Sequence, residues 1–170
     1  MNIDVLELQP DHSKEYLALR RVSEFELPQY VGPSVERELL AGDDGISSIL
    51  SMYASEGTVL FGAFAENKLV GVIAVSRRLS PKFKHRGFIW GMYIAHDYRK
   101  AHVGGVLLQY VQKWAKNHSE VILLWLQVTT SNKPAISFYS KYGFKVYGTE
   151  PQALYALDEF HDVHYMQISA

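Results

Sequence analysis

The chain has 170 residues, 48% of them hydrophobic, with 17 Lys+Arg against 18 Asp+Glu and a net charge of −1. That length suits one domain over residues 1–170, with a core that buries roughly 70% of the unfolded surface. The absence of cysteine excludes a disulfide framework, a thiolate zinc site and a cysteine nucleophile; the balanced charge argues against nonspecific nucleic-acid binding; and no apolar run reaches the 18 residues of a membrane span.

The start, Met1 to Val5, has no basic region and no apolar run, so a cytoplasmic protein is expected. Ile3 to Leu8 reads as a short strand whose apolar phase slips at Val5-Leu6, which predicts a bulge or cover on both faces. Pro10 to Ser13 opens a helix through about Arg21. Glu24 to Pro33, with two prolines and a glycine, predicts an irregular loop. Ser34 caps a first turn, and a second helical stretch covers about Ile46 to Ser55. Thr58 to Ala65 and Leu69 to Leu79 are strand-like and joined at Glu66-Asn67-Lys68, a hairpin signal. Phe88 to Ala95 is another apolar strand.

Val103 to Lys116 is the clearest helix: Val103, Val106, Leu107, Tyr110, Val111, Trp114 and Ala115 fall on one stripe. Val121 to Val128 is nearly all apolar, as expected of a central strand covered on both faces. Pro134 to Tyr142 predicts a short helix stopped by Gly143. Lys145 to Tyr147 and Val163 to Ile168 read as closing strands. Together these elements predict an α+β fold, a mixed sheet with helices on its faces.

The segment Arg99-Lys100-Ala101-His102-Val103-Gly104-Gly105 lies between a strand and the best helix. A helix start offers unpaired amides and a partial positive charge, so this turn suits an anion such as a diphosphate. Gly104 and Gly105 leave the backbone open to it, and Arg99 and Lys100 add mobile positive charge. The same turn also reads as an ordinary strand–helix connection with glycines for packing. It matches neither the Walker loop nor the dinucleotide fingerprint.

A second segment follows the buried strand, from Ser131 to Phe144. Together with Met92-Tyr93-Ile94 and Arg99 to Leu108, it resembles the GNAT superfamily of N-acetyltransferases. The family's phosphate motif [Q/R]-x-x-G-x-[G/A] is met by Arg99 and Gly104, with His102 at the position of its first glycine. The later motif N-x-x-A-x-x-x-Y-x-x-x-G-F is met in full by Asn132, Ala135, Tyr139, Gly143 and Phe144. The resemblance spans roughly Leu60 to the C-terminus and looks like a small bacterial single-domain branch.

The resemblance implies a GNAT-like fold: a mixed, mostly antiparallel central sheet, helices on both faces and a splayed strand pair. It implies acetyl-CoA as donor and an amine of a small molecule or protein as acceptor. Backbone groups of Met92 and Ile94, with Tyr93 between them, would hold the pantetheine arm. Arg99, Lys100, His102, Val103, Gly104 and Gly105 would meet the phosphates, and Asn132 the cofactor, although Asn132 also reads as a helix N-cap before Pro134. Tyr139 matches the general acid that protonates the leaving thiolate.

The base is less legible. Some relatives have a glutamate where Gln127 stands here, which leaves Glu24, Glu26 or a water chain. That Gln127 and His102 depart from the family also fits a second reading, a CoA-binding sensor without catalysis. Glu24, Phe25, Glu26 and Tyr30 read as an acidic, aromatic loop suited to a small cationic amine. His85 reads as structural. His161 and His164, three apart on a strand, point to opposite faces, so no metal site is expected. A monomer or homodimer fits.

Overall fold

The computed structural model describes every residue except Met1, Val31 and Lys100. Strands β1 (Asp4–Glu7), β2 (Thr58–Ala65), β3 (Lys68–Arg77), β4 (Arg86–Ile94), β5 (Leu123–Thr129), β6 (Lys145–Ala156) and β7 (Glu159–Ser169) form one sheet. Its spatial order is β1-β2-β3-β4-β5-β7-β6, and every neighbour is antiparallel except β4 with β5. Four α-helices, α1 (Ser13–Glu26), α2 (Ser34–Ser55), α3 (Val103–Asn117) and α4 (Lys133–Lys141), and two short 3-10 helices (Pro10–His12 and His96–Tyr98) complete the described chain.

Turn chemistry explains the two hairpins nearest the sheet ends. Glu66 and Asn67 both take positive φ, 49° and 65°, as a two-residue type I′ turn requires, and so join β2 to β3. Leu157 and Asp158, at 53° and 60°, do the same for β6 and β7. Leu-Asp carries no strong turn signal, so the sequence predicts two short closing strands where the chain makes a long hairpin. Gln152, at φ 51°, marks the irregularity in β6 between Glu150 and Leu154, and its amide donates to Asp162 Oδ1 at 2.9 Å.

Other boundaries shift for local reasons. The first helix runs past Arg21 to Glu26, because Ser23 turns its hydroxyl back onto the Arg20 carbonyl and does not break the helix; the irregular loop therefore begins at Leu27. Helix α2 is continuous from Ser34 apart from a break at Gly42 (φ 62°, ψ −169°). The slip at Val5-Leu6 produces no bulge: β1 pairs with β2 in unbroken register, Val5 is buried, and Leu6 is exposed on this edge strand.

Two apolar layers flank the sheet. Helix α3 lays Val103, Leu107, Leu108 and Val111 on Val70, Ile73, Ile89, Leu124 and Leu126. Helices α1 and α2 lay Tyr16, Leu17, Ile46 and Leu50 on Leu60, Val72, Ala74 and Tyr93. The second layer stops short of β5. Leu124, Leu126 and Val128 are buried on the α3 side, whereas Leu123 and Trp125 are half-buried and Gln127 is exposed on the other. The expected double cover of this strand is thus a single cover plus an open face.

Candidate functional site

The site begins with a bulge. One residue too many lies on β4 between Trp90, opposite Ala74, and Tyr93, opposite Val72. Gly91 absorbs it at φ 64°, a conformation that suits glycine. The extra residue shifts the side-chain alternation by one. Met92 and Ile94 therefore face the α3 layer, and Tyr93 faces the α1/α2 layer.

Beyond the bulge the two parallel strands part. Ladder pairing between β4 and β5 covers only Arg86–Ile89 against Leu123–Leu126. Trp90 to Ile94 and Gln127 to Thr129 have no pairing across the gap. Thr129 stands on the parted end of β5, on the face of Gln127. It is 6% exposed, and its Oγ1 has no hydrogen-bond partner among the described residues.

The start of α3 lies one turn beyond β4. His102 is its N-cap and sits at φ 60°, in the left-handed region the glycine of the family motif would occupy without strain. The first helical bond runs from Val106 N–H to His102 O at 3.1 Å. The amides of Val103, Gly104 and Gly105 have no backbone acceptor among the described residues, the ordinary condition of a helix start. Both glycines also serve packing. A Cβ on Gly105 would stand 2.0 Å from the Tyr142 hydroxyl, and one on Gly104 would stand 2.9 Å from Met92 Cε. Lys100 lies outside the described residues.

Arg99 does not present the mobile charge the sequence suggests. Its Nε donates to Ile94 O at 2.9 Å, its Nη2 donates to Glu26, and its guanidinium lies 5.4 Å from the Tyr93 ring centroid. The Ile94 carbonyl therefore already carries one hydrogen bond. Tyr93 donates to the same Glu26 oxygen at 2.8 Å. Donation from Tyr93, joined by Arg99, holds the Glu26 carboxyl below the usual carboxylate range, which makes it a poor base. Burial and the bond to Glu26 push the Tyr93 phenol up to about 12. Glu24 and Glu26 lie in the last turn of α1, not on a loop, and Phe25 is 90% exposed. The loop proper reaches the turn after β5 at Tyr30, whose hydroxyl lies 3.5 Å from Ser131 O.

Tyr139 is 7% exposed, and its hydroxyl donates to Met92 Sδ at 3.0 Å. Burial raises its pKa well above the ordinary phenol value, so it remains a proton donor. Asn132 caps α4, its Oδ1 accepting from the Ala135 amide at 3.2 Å, which leaves its Nδ2 for other partners. Tyr139, Met92, Gly104 and Phe138 are thus in one contact group.

A model of the Acetyltransferase (GNAT) family matches residues 19–144. The chain belongs to the GNAT acetyltransferase family. Streptothricin acetyltransferase of Escherichia coli is 28% identical over 97 residues, covering 57% of this chain and 53% of that protein. The chain spans about half the length of the curated relatives it matches. An acetyltransferase of the GNAT family from Streptococcus pneumoniae has the same fold, with a TM-score of 0.84 at 24% identity over 99% of each chain. So does yncA of Salmonella typhimurium, solved with its cofactor acetyl-CoA, at 0.83 and 13% over 99% and 94%.

Two features of this GNAT chain are not legible in its motifs. The first is a buried charge network. Arg20 and Glu38 are 1% and 0% exposed and joined at 2.7 Å. Tyr16 and Tyr53 donate to the other Glu38 oxygen at 2.8 and 3.1 Å, and burial raises both phenols. Arg20 Nη1 also donates to the carbonyl of Gly91 at 3.3 Å, which ties α1 and α2 to the bulge. The helical spacing of Tyr16 and Arg20 was the available signal, but charged residues on helices are ordinarily exposed.

The second is the open face. Phe88 stacks on Trp125 at 4.4 Å, and Trp125 on Tyr165 at 6.2 Å. Tyr165 lies opposite Gln127 and donates to Glu150. Two adjoining grooves, of about 310 and 460 Å³, share Glu56, Thr58, Ser76 and Phe88, and the larger one reaches Gln127. Elsewhere, no group of three or more metal-ligating side chains and no helix long and apolar enough to cross a membrane occurs among the described residues.

Proposed function

We propose that residues 1–170 form a single N-acetyltransferase domain that moves an acetyl group from acetyl-CoA directly to a primary amine. The observation that carries this reading is the parting of β4 and β5 beside the amides at the start of α3. The residues fit the donor substrate. Those amides and the N-terminal end of the helix dipole suit a pyrophosphate, with His102, Val103, Gly104 and Gly105 around it. Unpaired strand edges near Met92, Tyr93 and Ile94 suit the amide-bearing pantetheine arm, as an added strand would. Thr129 Oγ1 is a buried polar atom in want of a partner, and Asn132 Nδ2 is a spare donor. Arg99 acts through Ile94 and Glu26, holding α1 to the end of β4.

Tyr139 supplies the proton when the tetrahedral adduct expels thiolate, whose conjugate thiol has a pKa of roughly 8.5. Its present acceptor is a sulfur, that of Met92. Methionine is unbranched and adaptable, so Met92 turns aside and a thioester sulfur takes its place against the phenol. Glu26 is committed to Arg99 and Tyr93. On the face of Gln127, Glu150 is bonded to Tyr165, and it receives the amine's proton directly or through water.

Acetyl-CoA turnover followed as free thiol tests the reading, with an amine panel as acceptors. Acetyl-CoA is expected to stabilise the fold by about 2.7 kcal/mol at 100 times its Kd, and at least one amine to release thiol. No stabilisation by acetyl-CoA would remove the donor site; stabilisation with no amine acetylated would favour a CoA-binding sensor.

A further inference from the structure

We propose that the amine acceptor carries an anionic group, a carboxylate or phosphate, held by Arg86 and Arg78 beside the Phe88–Trp125 stack. The inference rests on the transferase reading and names the acceptor class for that same site. The sequence suggests the opposite, a cationic amine drawn by Glu24 and Glu26. The structure removes that attraction, because Glu26 is spent on Arg99 and Tyr93.

The face that opens onto the gap is basic instead. Four guanidinium groups line the two adjoining grooves, those of Arg37, Arg77, Arg78 and Arg86, against one carboxylate, Glu56. Arg77 is paired with Glu120 at 3.2 Å. Arg37, Arg78 and Arg86 form no ion pair among the described residues.

Two of these charges are held in place by rings. The Arg86 guanidinium lies 4.9 Å from the Trp125 centroid and donates to the Tyr147 hydroxyl at 3.3 Å. That of Arg78 lies 5.2 Å from the Phe83 centroid. Stacking orients a guanidinium without neutralising it and leaves its in-plane N–H groups for a carboxylate or phosphate, which they can grip two at a time. The groove of about 460 Å³ falls within the range of small-molecule sites. Its aromatic floor suits an apolar or planar portion, and Gln127, the first residue of β5 beyond its pairing with β4, marks where the amine reaches the thioester.

The test compares matched amines with the intact protein and acetyl-CoA: phenylalanine with phenethylamine, O-phosphoethanolamine with ethanolamine, and spermidine as the polycation. The member bearing the anionic group in at least one pair is expected to show a kcat/KM at least tenfold higher than its partner lacking that group and than spermidine. The pair that responds tells carboxylate from phosphate. In an Arg78→Gln, Arg86→Gln double variant that preference should fall below about threefold, while acetyl-CoA still raises its Tm, showing that it is folded. Equal or faster turnover of the amines lacking the anionic group, or of spermidine, would overturn the inference and leave the transferase reading standing, as would an undiminished preference in the double variant. Stabilisation by acetyl-CoA with neither anionic amine acetylated also overturns the inference. Failure of acetyl-CoA to bind overturns the transferase reading and this inference with it.

Discussion

The two faces of the sheet are built by different means. The α3 face is dry and mostly aliphatic: Ile73, Leu107, Leu124 and Leu126 are all at most 2% exposed, and its mouth offers backbone amides together with the Tyr139 hydroxyl and the Asn132 side chain. The α1/α2 face covers only β2 to β4. It holds a buried ion pair and leaves Phe88, Trp125 and Tyr165 beside an open, arginine-lined groove. On the proposed reading, a donor shared by a family is met largely by main chain and small residues, whereas the acceptor is met by side chains gathered from several elements. The first can be conserved as a short motif; the second is spread over many elements.

The largest effect expected from breaking this arrangement lies on the α1/α2 face. Glu38→Gln leaves the Arg20 guanidinium buried without a counter-charge and should cost about 3–5 kcal/mol, or roughly 10 °C in Tm, measured by thermal unfolding. A change under about 1 kcal/mol would mean that the network does not bind α1 and α2 together. Tyr139→Phe should lower kcat about 100-fold with little change in the Kd for acetyl-CoA. Because burial holds the phenol above its ordinary value, the wild-type profile should show no loss to Tyr139 ionisation below pH 10. Full turnover in the variant would remove its role as acid.

Smaller effects belong to the α3 mouth. Gly105→Ala drives a methyl into the Tyr142 hydroxyl and should destabilise by about 1–3 kcal/mol. Tyr142→Phe in the same chain should restore part of the loss, and denaturant titration of the four proteins of this cycle would show the coupling; additive costs would mean that the glycine serves something other than this contact. His102→Gly relieves a left-handed residue and should add about 1 kcal/mol or less, since glycine's extra freedom in the unfolded chain offsets part of the gain. A loss of stability would indicate that the imidazole holds the turn.

What could be read from the sequence follows the same division. Helix α3 announced itself by its stripe, and Asn132, Ala135, Tyr139, Gly143 and Phe144 stand together because one helix and its stop carry them all. The bulge at Gly91 was hidden, since a single added residue leaves no mark in an apolar run. The coverage of β5 is illegible for a related reason: Leu123 and Trp125 look like core residues until the sheet shows that the second helical layer ends before them. The place of Arg99 in a motif points to phosphate, whereas its reach to Glu26 spans 73 positions and no local pattern carries that. The basic groove gathers Arg37 from α2, Arg78 from the residue after β3 and Arg86 from β4, which no spacing rule brings together.

The account depends most on the amides at the start of α3 meeting the pyrophosphate of the donor. Titrating the ¹⁵N-labelled protein with acetyl-CoA and following its amide signals tests this directly. The signals of Val103, Gly104 and Gly105 should move among the farthest in the chain, and acetyl-pantetheine, which lacks the pyrophosphate, should leave them nearly in place. If acetyl-CoA binds while those three amides stay unmoved, the donor sits elsewhere and the proposed site is wrong.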